Sequence, residues 1–199
     1  MLAVVGLTFM LAAFVALVLA HVRPTGLSPL RNPVSQYGIS SAASFYRAQT
    51  VAMALAAIAL PLSLRSCLSG REVPEVVVSL ALFAVARALI SWFPMDAPGA
   101  PRSHRGSAHG ILAIVAFLSI SFAASRLNTL LSSQAAGTWW YHVSSVVSTA
   151  LKVALVLMIV ARLAQAVRPY FGLIERLFYA ACITWIVTTC WACAFLHGW

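Results

Sequence analysis

The stretch FPMDAPGAPRSHRGSAHG, residues 93–110, carries a dense group of side chains that could do chemistry. It contains a single carboxylate, Asp96, and the imidazole of His109. A carboxylate beside an imidazole can orient the ring and raise its basicity, as general acid–base catalysis requires. Asp96 and His109 are therefore the candidate catalytic pair, acting on a lipid or another anionic substrate. In the alternative interpretation, Asp96 caps a turn and pairs with an arginine, while His109 bonds across helices.

Arginines around this stretch favour an anionic ligand. Arg102 and Arg105 lie at the expected start of a helix, where partial positive charge and unpaired N–H groups attract anions. Arg87 lies nine residues before Asp96, inside the preceding helix. An intramembrane arginine is costly and usually faces the bundle interior or a partner. Asp96 is one candidate partner for Arg87, and snorkelling of Arg87 toward the interface is the alternative.

A second polar stretch, RNPVSQYGIS at residues 31–40, follows the first apolar segment. It supplies Ser35 and Tyr37, and Arg47 comes soon after it. Polar groups at membrane depth must be satisfied inside the protein or face water. The first and third connections therefore predict a polar, cationic mouth that binds an anionic lipid or a lipid-linked headgroup. The ligand-binding residues would be Ser35, Tyr37, Arg47, Arg87, Arg102 and Arg105.

Metal and haem sites have less support in the sequence. A metal site would use Asp96, His104 and His109, but a separation of five between the histidines does not place both on one face of a helix. Haem needs axial ligands, and most of the available histidines fall at expected helix ends. These histidines are His21, His109, His142 and His197. We therefore expect neither a metal nor a cofactor.

Two further features leave alternatives open. The segment CWAC, from Cys190 to Cys193, has redox spacing, and Cys67 is expected on the same face, as an oxidoreductase passing electrons to quinone would require. A C-x-x-C segment within a helix nevertheless places its thiols about one turn apart, which is awkward for a bridge. Lys152 lies near the middle of the fifth apolar segment, where an ionisable group marks a pathway or a ligand by default. Lys152 therefore favours a transporter-like interpretation.

These stretches together resemble the DUF998 family of small bacterial and archaeal membrane proteins. The stretch RNPVSQYG resembles an N-P-x-S element that follows the first helix in this family. The stretch FPMDAPG resembles an F-P-x-D element at the end of a helix. The stretch HRGSAHGILAIVAF contains the Gly-x-x-His that opens the next helix. The matching positions are Asn32, Pro33, Ser35, Phe93, Pro94, Asp96, Gly106 and His109. The resemblance spans most of the chain. It implies a multi-helix membrane protein and leaves the chemistry open.

Composition places these residues in a membrane protein. Of the 199 residues, 62% are hydrophobic and 9% are charged, with a mean hydropathy of +0.93. Soluble domains carry roughly 25% charged residues, so the excess apolar surface here must face lipid. The chain has 13 basic and 4 acidic side chains. Because no basic tract stands apart from the apolar segments, we expect anionic membrane lipid as the partner and no nucleic acid.

Apolar segments long enough to cross a bilayer predict the architecture. A hydrocarbon core about 30 Å thick needs roughly 20 apolar residues per helix. Six segments satisfy this requirement, which predicts an all-α membrane protein, a bundle of six transmembrane helices in one domain, 1–199. The segments are about 1–21, 42–64, 74–93, 107–126, 139–162 and 174–197. Pro61 should kink the second segment or end it early. The first segment lacks the positive n-region of a signal peptide and is predicted to be a retained helix.

Arginine placement predicts the orientation. Arginines are concentrated at the odd-numbered connections, so the positive-inside rule puts these connections in the cytoplasm and both termini outside a bacterial inner membrane. Gly106 and Gly110 form a GxxxG pair, which would let a partner helix approach closely. Three hypotheses therefore remain: lipid binding at the cationic mouth, a membrane enzyme that uses Asp96 and His109, and a scaffold or partner subunit that packs through Gly106 and Gly110.

Overall fold

The computed structural model describes residues 1–68, 73–132 and 137–195. These residues form six α-helices and two short 3₁₀ helices, and no strand occurs among them. The α-helices are α1 (Leu2–Val22), α2 (Ala43–Cys67), α3 (Pro74–Ile90), α4 (His104–Ser132), α5 (Trp139–Leu163) and α6 (Phe171–Phe195). The 3₁₀ helices cover Val34–Ile39 in the first connection and Arg168–Tyr170 just before α6.

The α-helices close into a ring in chain order. Each helix packs against the next, α1 also packs against α6, and a further contact joins α2 to α6 across the ring. Because consecutive helices pack side by side, the chain reverses direction at each connection. The first, third and fifth connections therefore meet at one end of the bundle, and the second and fourth meet at the other.

Five of the helices, α1, α2, α4, α5 and α6, are long and apolar enough to cross a membrane. The remaining helix, α3, has 17 residues. Large apolar side chains such as Leu11, Val85 and Phe122 are exposed on the outside of the bundle. Water disfavours such a surface and lipid accepts it. These apolar helices indicate a multi-pass membrane protein.

Small residues bring α2 close to its neighbours in the core. The buried side chains of α2 include Ala52, Ala54, Ala56, Ala57 and Ala59. On α1, a Cβ at Gly6 would lie 3.6 Å from the Cβ of Ala59 and 2.8 Å from the Sγ of Cys190. Membrane helices gain van der Waals contact through such close approach of small residues. This packing holds α1, α2 and α6 together.

Helices α4 and α6 begin three residues before their predicted segments, and α2 and α4 end beyond theirs. Helix α4 runs over His104–Ser132, whereas the apolar pattern predicts 107–126. Its additional residues include polar side chains at both ends, which lowers the local hydropathy although the helical backbone continues through them. Helix α6 begins at Phe171, three residues before the predicted 174–197, and the last two residues of that segment lie outside the described residues.

Prolines have different effects in α2 and after α3. Helix α2 continues through Pro61 to Cys67, so the proline does not end it. A proline inside a membrane helix removes one N–H donor, and packing against neighbouring helices can compensate for that loss. Helix α3 ends at Ile90, three residues before the predicted boundary. The N–H of Phe93 then bonds the carbonyl of Ile90 at 3.2 Å as a turn, and Pro94 prevents the helix from resuming.

Candidate functional site

The three odd-numbered connections lie together at one end of the bundle. Ser35 in the first connection donates to the Sδ of Met95 in the third, at 3.4 Å. The N–H of Leu173, at the start of α6, bonds the carbonyl of Leu30 in the first connection at 3.0 Å. Exposed arginines crowd this end, which we call the arginine face. They are Arg23, Arg31, Arg47, Arg102, Arg105, Arg162 and Arg168.

Asp96 closes the N-terminus of α4. Its carboxylate accepts the hydroxyl of Ser103 at 2.6 Å and the N–H of Ser103 at 3.1 Å. The Ser103 hydroxyl in turn accepts the N–H of Gly106 at 3.0 Å, so two N–H groups at the start of the helix are satisfied. These bonds from Ser103, the side-chain bond first, hold the pKa of Asp96 below its usual range.

Gly106 and Gly110 have different surroundings. A Cβ at Gly106 would overlap the Asp96 carboxylate, so Gly106 provides the space in which Asp96 approaches the helix. A Cβ at Gly110 would meet no atom within 4 Å. The surface at Gly106 is therefore covered by Asp96 of the same chain, and Gly110 alone is open to a neighbouring helix.

His109 is buried one turn further along α4 and bonds the end of the preceding connection. Its Nδ1 lies 2.8 Å from the carbonyl oxygen of Phe93, and since a carbonyl only accepts, Nδ1 carries the proton and donates. Asp96 and His109 thus hold the third connection to α4 through different partners. Among the described side-chain hydrogen bonds, none joins Asp96 to His109.

Arg87 lies in the core below the arginine face and is 1% exposed. It donates to the hydroxyl of Tyr179 on α6 and to the side-chain oxygen of Gln49 on α2, both at 2.8 Å. Its guanidinium also lies over the Tyr179 ring, 5.2 Å from the centroid. The partner of Arg87 is therefore a pair of neutral groups rather than Asp96. Its Nε and the nearby Tyr46 hydroxyl are buried without a hydrogen-bond partner.

Glu175, which belongs to none of the sequence motifs, is a buried carboxylate near the start of α6. It is 3% exposed and accepts the N–H of Val34 at 2.6 Å, which joins the first connection to α6. It also interacts electrostatically with Arg87 and Arg176. An ionisable residue inside an apolar segment generally indicates a functional role. The position of Glu175 within the sixth apolar segment could therefore have predicted it as a candidate site residue.

Arg176 connects α6 to α1 and to the first connection. Its Nε donates to the Nε2 of His21 at 2.7 Å, and its Nη2 donates to the Tyr37 hydroxyl at 3.2 Å. Its remaining bonds, each 2.8 Å, reach the carbonyls of Asn32 and Gly172. Arginine only donates, so Nε2 of His21 must accept, and Nδ1 of His21 donates to its own helix. His21 is therefore held as the neutral Nδ1–H tautomer.

A groove of about 260 Å³ runs between α1 and α6 on the outside of the bundle. Leu17 and Val18 form part of its wall on α1, and Ala180 and Ile183 form part of the wall on α6. Its lining is almost entirely apolar. The polar residues of the lining, His21 and Arg176, lie at the end of the groove nearest the arginine face. We call this feature the α1–α6 groove.

Comparison with protein families matches residues 5–192 to the family described as a protein of unknown function, DUF998. The chain belongs to the DUF998 family. The resemblance seen in its short motifs is thereby confirmed over nearly the whole chain. Comparisons with curated proteins and with solved structures give no match. The activity of this DUF998 protein therefore has to be inferred from the geometry of its own residues.

The remaining ligand-binding residues expected in this DUF998 protein are spread over the arginine face. Arg47 stacks on Trp92, 5.2 Å from the ring centroid, and Arg102 donates to the Ser107 hydroxyl at 3.1 Å. Arg105 is exposed. Ser35 and Tyr37 share the first 3₁₀ helix but turn to different partners, Met95 for Ser35 and Arg176 for Tyr37. The structure thus places Tyr37 in the core, in contact with the Arg176 side chain that lines the α1–α6 groove, and leaves Ser35 at the third connection.

Metal binding, haem binding and transport are the other roles that the sequence suggests. Among residues 1–68, 73–132 and 137–195, no three His, Cys, Asp or Glu side chains are placed to hold a metal ion. His197 lies outside the described residues. Lys152 is exposed on the outer side of α5, facing away from the core of the DUF998 bundle.

Proposed function

We propose that this DUF998 protein binds an anionic membrane lipid, with an acyl chain in the α1–α6 groove and the headgroup at the arginine face. One observation carries the proposal: the groove is apolar along its length and ends on Arg176 and His21. A lipid has the same distribution of polarity, because its long apolar chain ends in a charged group. Pockets for small molecules are likewise mostly apolar, with a few polar groups that fix orientation.

Arg176 retains capacity to bind an acceptor. A guanidinium has five N–H donors, and the four bonds to His21, Tyr37, Asn32 and Gly172 use four of them. One N–H therefore remains for a headgroup oxygen. The residues already bound keep the side chain fixed at the end of the groove, so this donor is pre-oriented.

The exposed arginines supply long-range attraction. Arg23 directly follows Val22, which lines the groove, and Arg168 lies just before α6. Anionic lipid surfaces attract clustered basic side chains with about 1 kcal/mol per residue. Arg47, Arg102 and Arg105 belong to the same face and would add to this attraction. The expected mouth at the first and third connections thereby becomes part of a wider headgroup surface.

We also propose that all six α-helices cross a bacterial inner membrane, with the odd-numbered connections in the cytoplasm. The 17 residues of α3 correspond to about 25 Å of helix, near the lower limit for a span. The position of α3 between α2 and α4 in the ring supports its inclusion. The concentration of exposed arginines at one end supports the orientation, since cytoplasmic connections carry an excess of arginine and lysine.

Lipid binding is tested with the full chain in detergent and two short-chain probes, phosphatidylglycerol and phosphatidylcholine. The Ala180→Trp variant places an indole in the groove, while Ala150→Trp makes the same change at an exposed alanine of α5 and serves as the control. We expect the wild type and Ala150→Trp to prefer phosphatidylglycerol, and Ala180→Trp to bind it at least about tenfold more weakly, a change of about 1.4 kcal/mol. Equal affinity for the two probes, or unchanged binding by Ala180→Trp, would contradict the proposal.

A further inference from the structure

Two half-buried thiols from different helices meet at the end of the bundle opposite the arginine face. Cys67 is the last residue of α2, and Cys193 lies two residues before the end of α6. The Sγ of Cys67 donates to the backbone oxygen of Cys193 at 3.4 Å, so the two cysteines are neighbours. The other cysteines, Cys182 and Cys190, are fully buried.

We propose that Cys67 and Cys193 are a redox-active pair that forms a reversible disulfide between α2 and α6. Within the CWAC segment, a bond between Cys190 and Cys193 would have to bridge a helical turn. A bond to Cys67 has no such restriction, because Cys67 approaches from a neighbouring helix. Its sulfur already lies beside the backbone of Cys193, and a disulfide needs its two cysteines close together.

Neighbouring groups favour Cys67 and Cys193 over the other thiols. Cys190 packs against α1, where a Cβ at Gly6 would come within 2.8 Å of its sulfur. Cys182 is 1% exposed and lies deeper in α6. An attacking reagent therefore reaches Cys67 and Cys193 first, since thiol exchange depends on access to the sulfur.

The reaction is a thiol–disulfide exchange with the disulfide of a small thiol or of a thiol-exchange protein. The thiolate of one cysteine attacks that disulfide, forms a mixed disulfide and releases one thiolate, which takes up a proton. The second cysteine then attacks the mixed disulfide, closes the Cys67–Cys193 bond and releases the second thiol. Two protein thiols are oxidised and one external disulfide is reduced to two thiols, so electrons and protons balance.

This proposal does not depend on lipid binding, but it agrees with the proposed orientation. If the arginine face lies in the cytoplasm, Cys67 and Cys193 lie near the opposite surface of the membrane. Disulfides persist on that side, whereas cytosolic reductants keep thiols reduced. The bond would join residues 126 positions apart and would fix the ends of α2 and α6 to each other.

The test treats the folded full chain in detergent with reduced or oxidised glutathione, then denatures it, alkylates the free thiols and measures the mass. The described residues contain four free cysteines. We expect four alkylated thiols after reduced glutathione and two after oxidised glutathione, with a digest that yields a Cys67–Cys193 cross-linked peptide. In Cys67→Ser the exchange should stop at the mixed disulfide, leaving one glutathione on Cys193.

Cys182→Ser is the matched control, because it removes a buried thiol and should still form the cross-link. Four alkylated thiols in the wild type after oxidised glutathione would overturn the proposal. So would glutathione adducts on both cysteines without a cross-link, or a cross-link that includes Cys190. Because the wild-type measurement is sufficient by itself, an unstable variant would leave the test intact.

Discussion

At the level of single residues, Arg87 shows how a buried charge is accommodated by neutral partners. It joins α3 to α2 through Gln49 and to α6 through Tyr179. Hydrogen bonds to a charged group contribute about 1.5–3 kcal/mol, and the planar guanidinium reaches two acceptors at once. The buried carboxylate of Glu175 adds electrostatic compensation. Arg87 thus joins α2, α3 and α6 within the core.

One residue-scale prediction concerns the stability of the Asp96 cap in acid. Its pKa is lowered in the folded protein, chiefly by the bonds from Ser103, so its stabilising effect is complete above the unfolded pKa of about 3.9. That effect is lost as the pH falls through the lower folded value. The melting temperature of Asp96→Asn should therefore be lower than that of the wild type at about pH 7. The difference between the two melting temperatures should become smaller toward about pH 2. Thermal melting in detergent at both pH values measures it.

The control for this prediction is Arg105→Gln, which changes a charge in the same helical turn without removing a hydrogen bond from Ser103. The difference in melting temperature between Arg105→Gln and the wild type should not become smaller in this way as the pH falls. A difference for Asp96→Asn that stays constant down to about pH 2 would show that the carboxylate charge does not support the start of α4.

The sequence could predict the local contacts of Asp96 and His109 but not the distant ones. Ser103 and Asp96 lie seven residues apart, so turn chemistry alone favours the cap that forms. The contact of Arg176 with His21 spans 155 positions. Contacts of that separation follow from the closure of the ring, and nothing in the local pattern encodes them. For that reason the α1–α6 groove could not be located from the sequence.

At the level of elements, the apolar segments predict the positions of the helices well. The reason is that the thickness of the bilayer sets both the length of an apolar segment and the length of the helix that crosses it. The five spans found in the structure all fall on predicted segments. The ends are harder to predict, since a helix continues as long as its backbone hydrogen bonds are made, whatever the polarity of its side chains. Helix α4 illustrates this difference, because it continues past the polar residues Asn128 and Thr129 to Ser132.

Gly172 controls how the first connection seats on α6. A Cβ there would lie 2.5 Å from the carbonyl oxygen of Asn32 and 2.8 Å from that of Pro29. Both obstacles are backbone atoms, which cannot rotate away. Gly172→Ala should therefore lift the first connection from α6 and cost about 1–3 kcal/mol of stability. We expect a lower melting temperature and faster proteolysis between α1 and α2.

Gly110→Ala provides the matched control, because its added methyl group meets open space. In an otherwise helical setting this change should be neutral or slightly stabilising. Equal melting temperatures and equal proteolysis for the two alanine variants would show that the close approach at Gly172 is not required.

At the level of the whole molecule, charge is distributed along the bundle axis. Seven exposed arginines lie at one end of the described structure, whereas the acidic side chains there are Asp96 and the buried Glu175. At the opposite end, the exposed pair Glu75–Arg126 is joined at 3.4 Å. This asymmetry gives the bundle one strongly cationic end.

Electrostatic attraction of this kind depends on salt. The Debye length falls from about 10 Å at 0.1 M salt to about 3 Å at 1 M. Binding of the protein to phosphatidylglycerol should therefore weaken severalfold over that range, while binding to phosphatidylcholine should change little. Titration of each lipid at the two salt concentrations measures the effect. Equal salt dependence for both lipids would mean that the arginine face does not contact the headgroup.

Closure of the ring by α6 has a consequence for biosynthesis. Helix α6 is synthesised after the other five helices. It nevertheless carries Tyr179, which accepts a hydrogen bond from Arg87, and Glu175, which accepts one from the N–H of Val34. It also forms one wall of the α1–α6 groove. In a nascent chain that has inserted only the first five helices, Arg87 therefore lacks one of its hydrogen-bond acceptors. The first connection also lacks the surface of α6 against which it packs. The bundle is therefore complete only after α6 has inserted. Until then, the gap that α6 fills in the ring would be accessible to quality-control proteases.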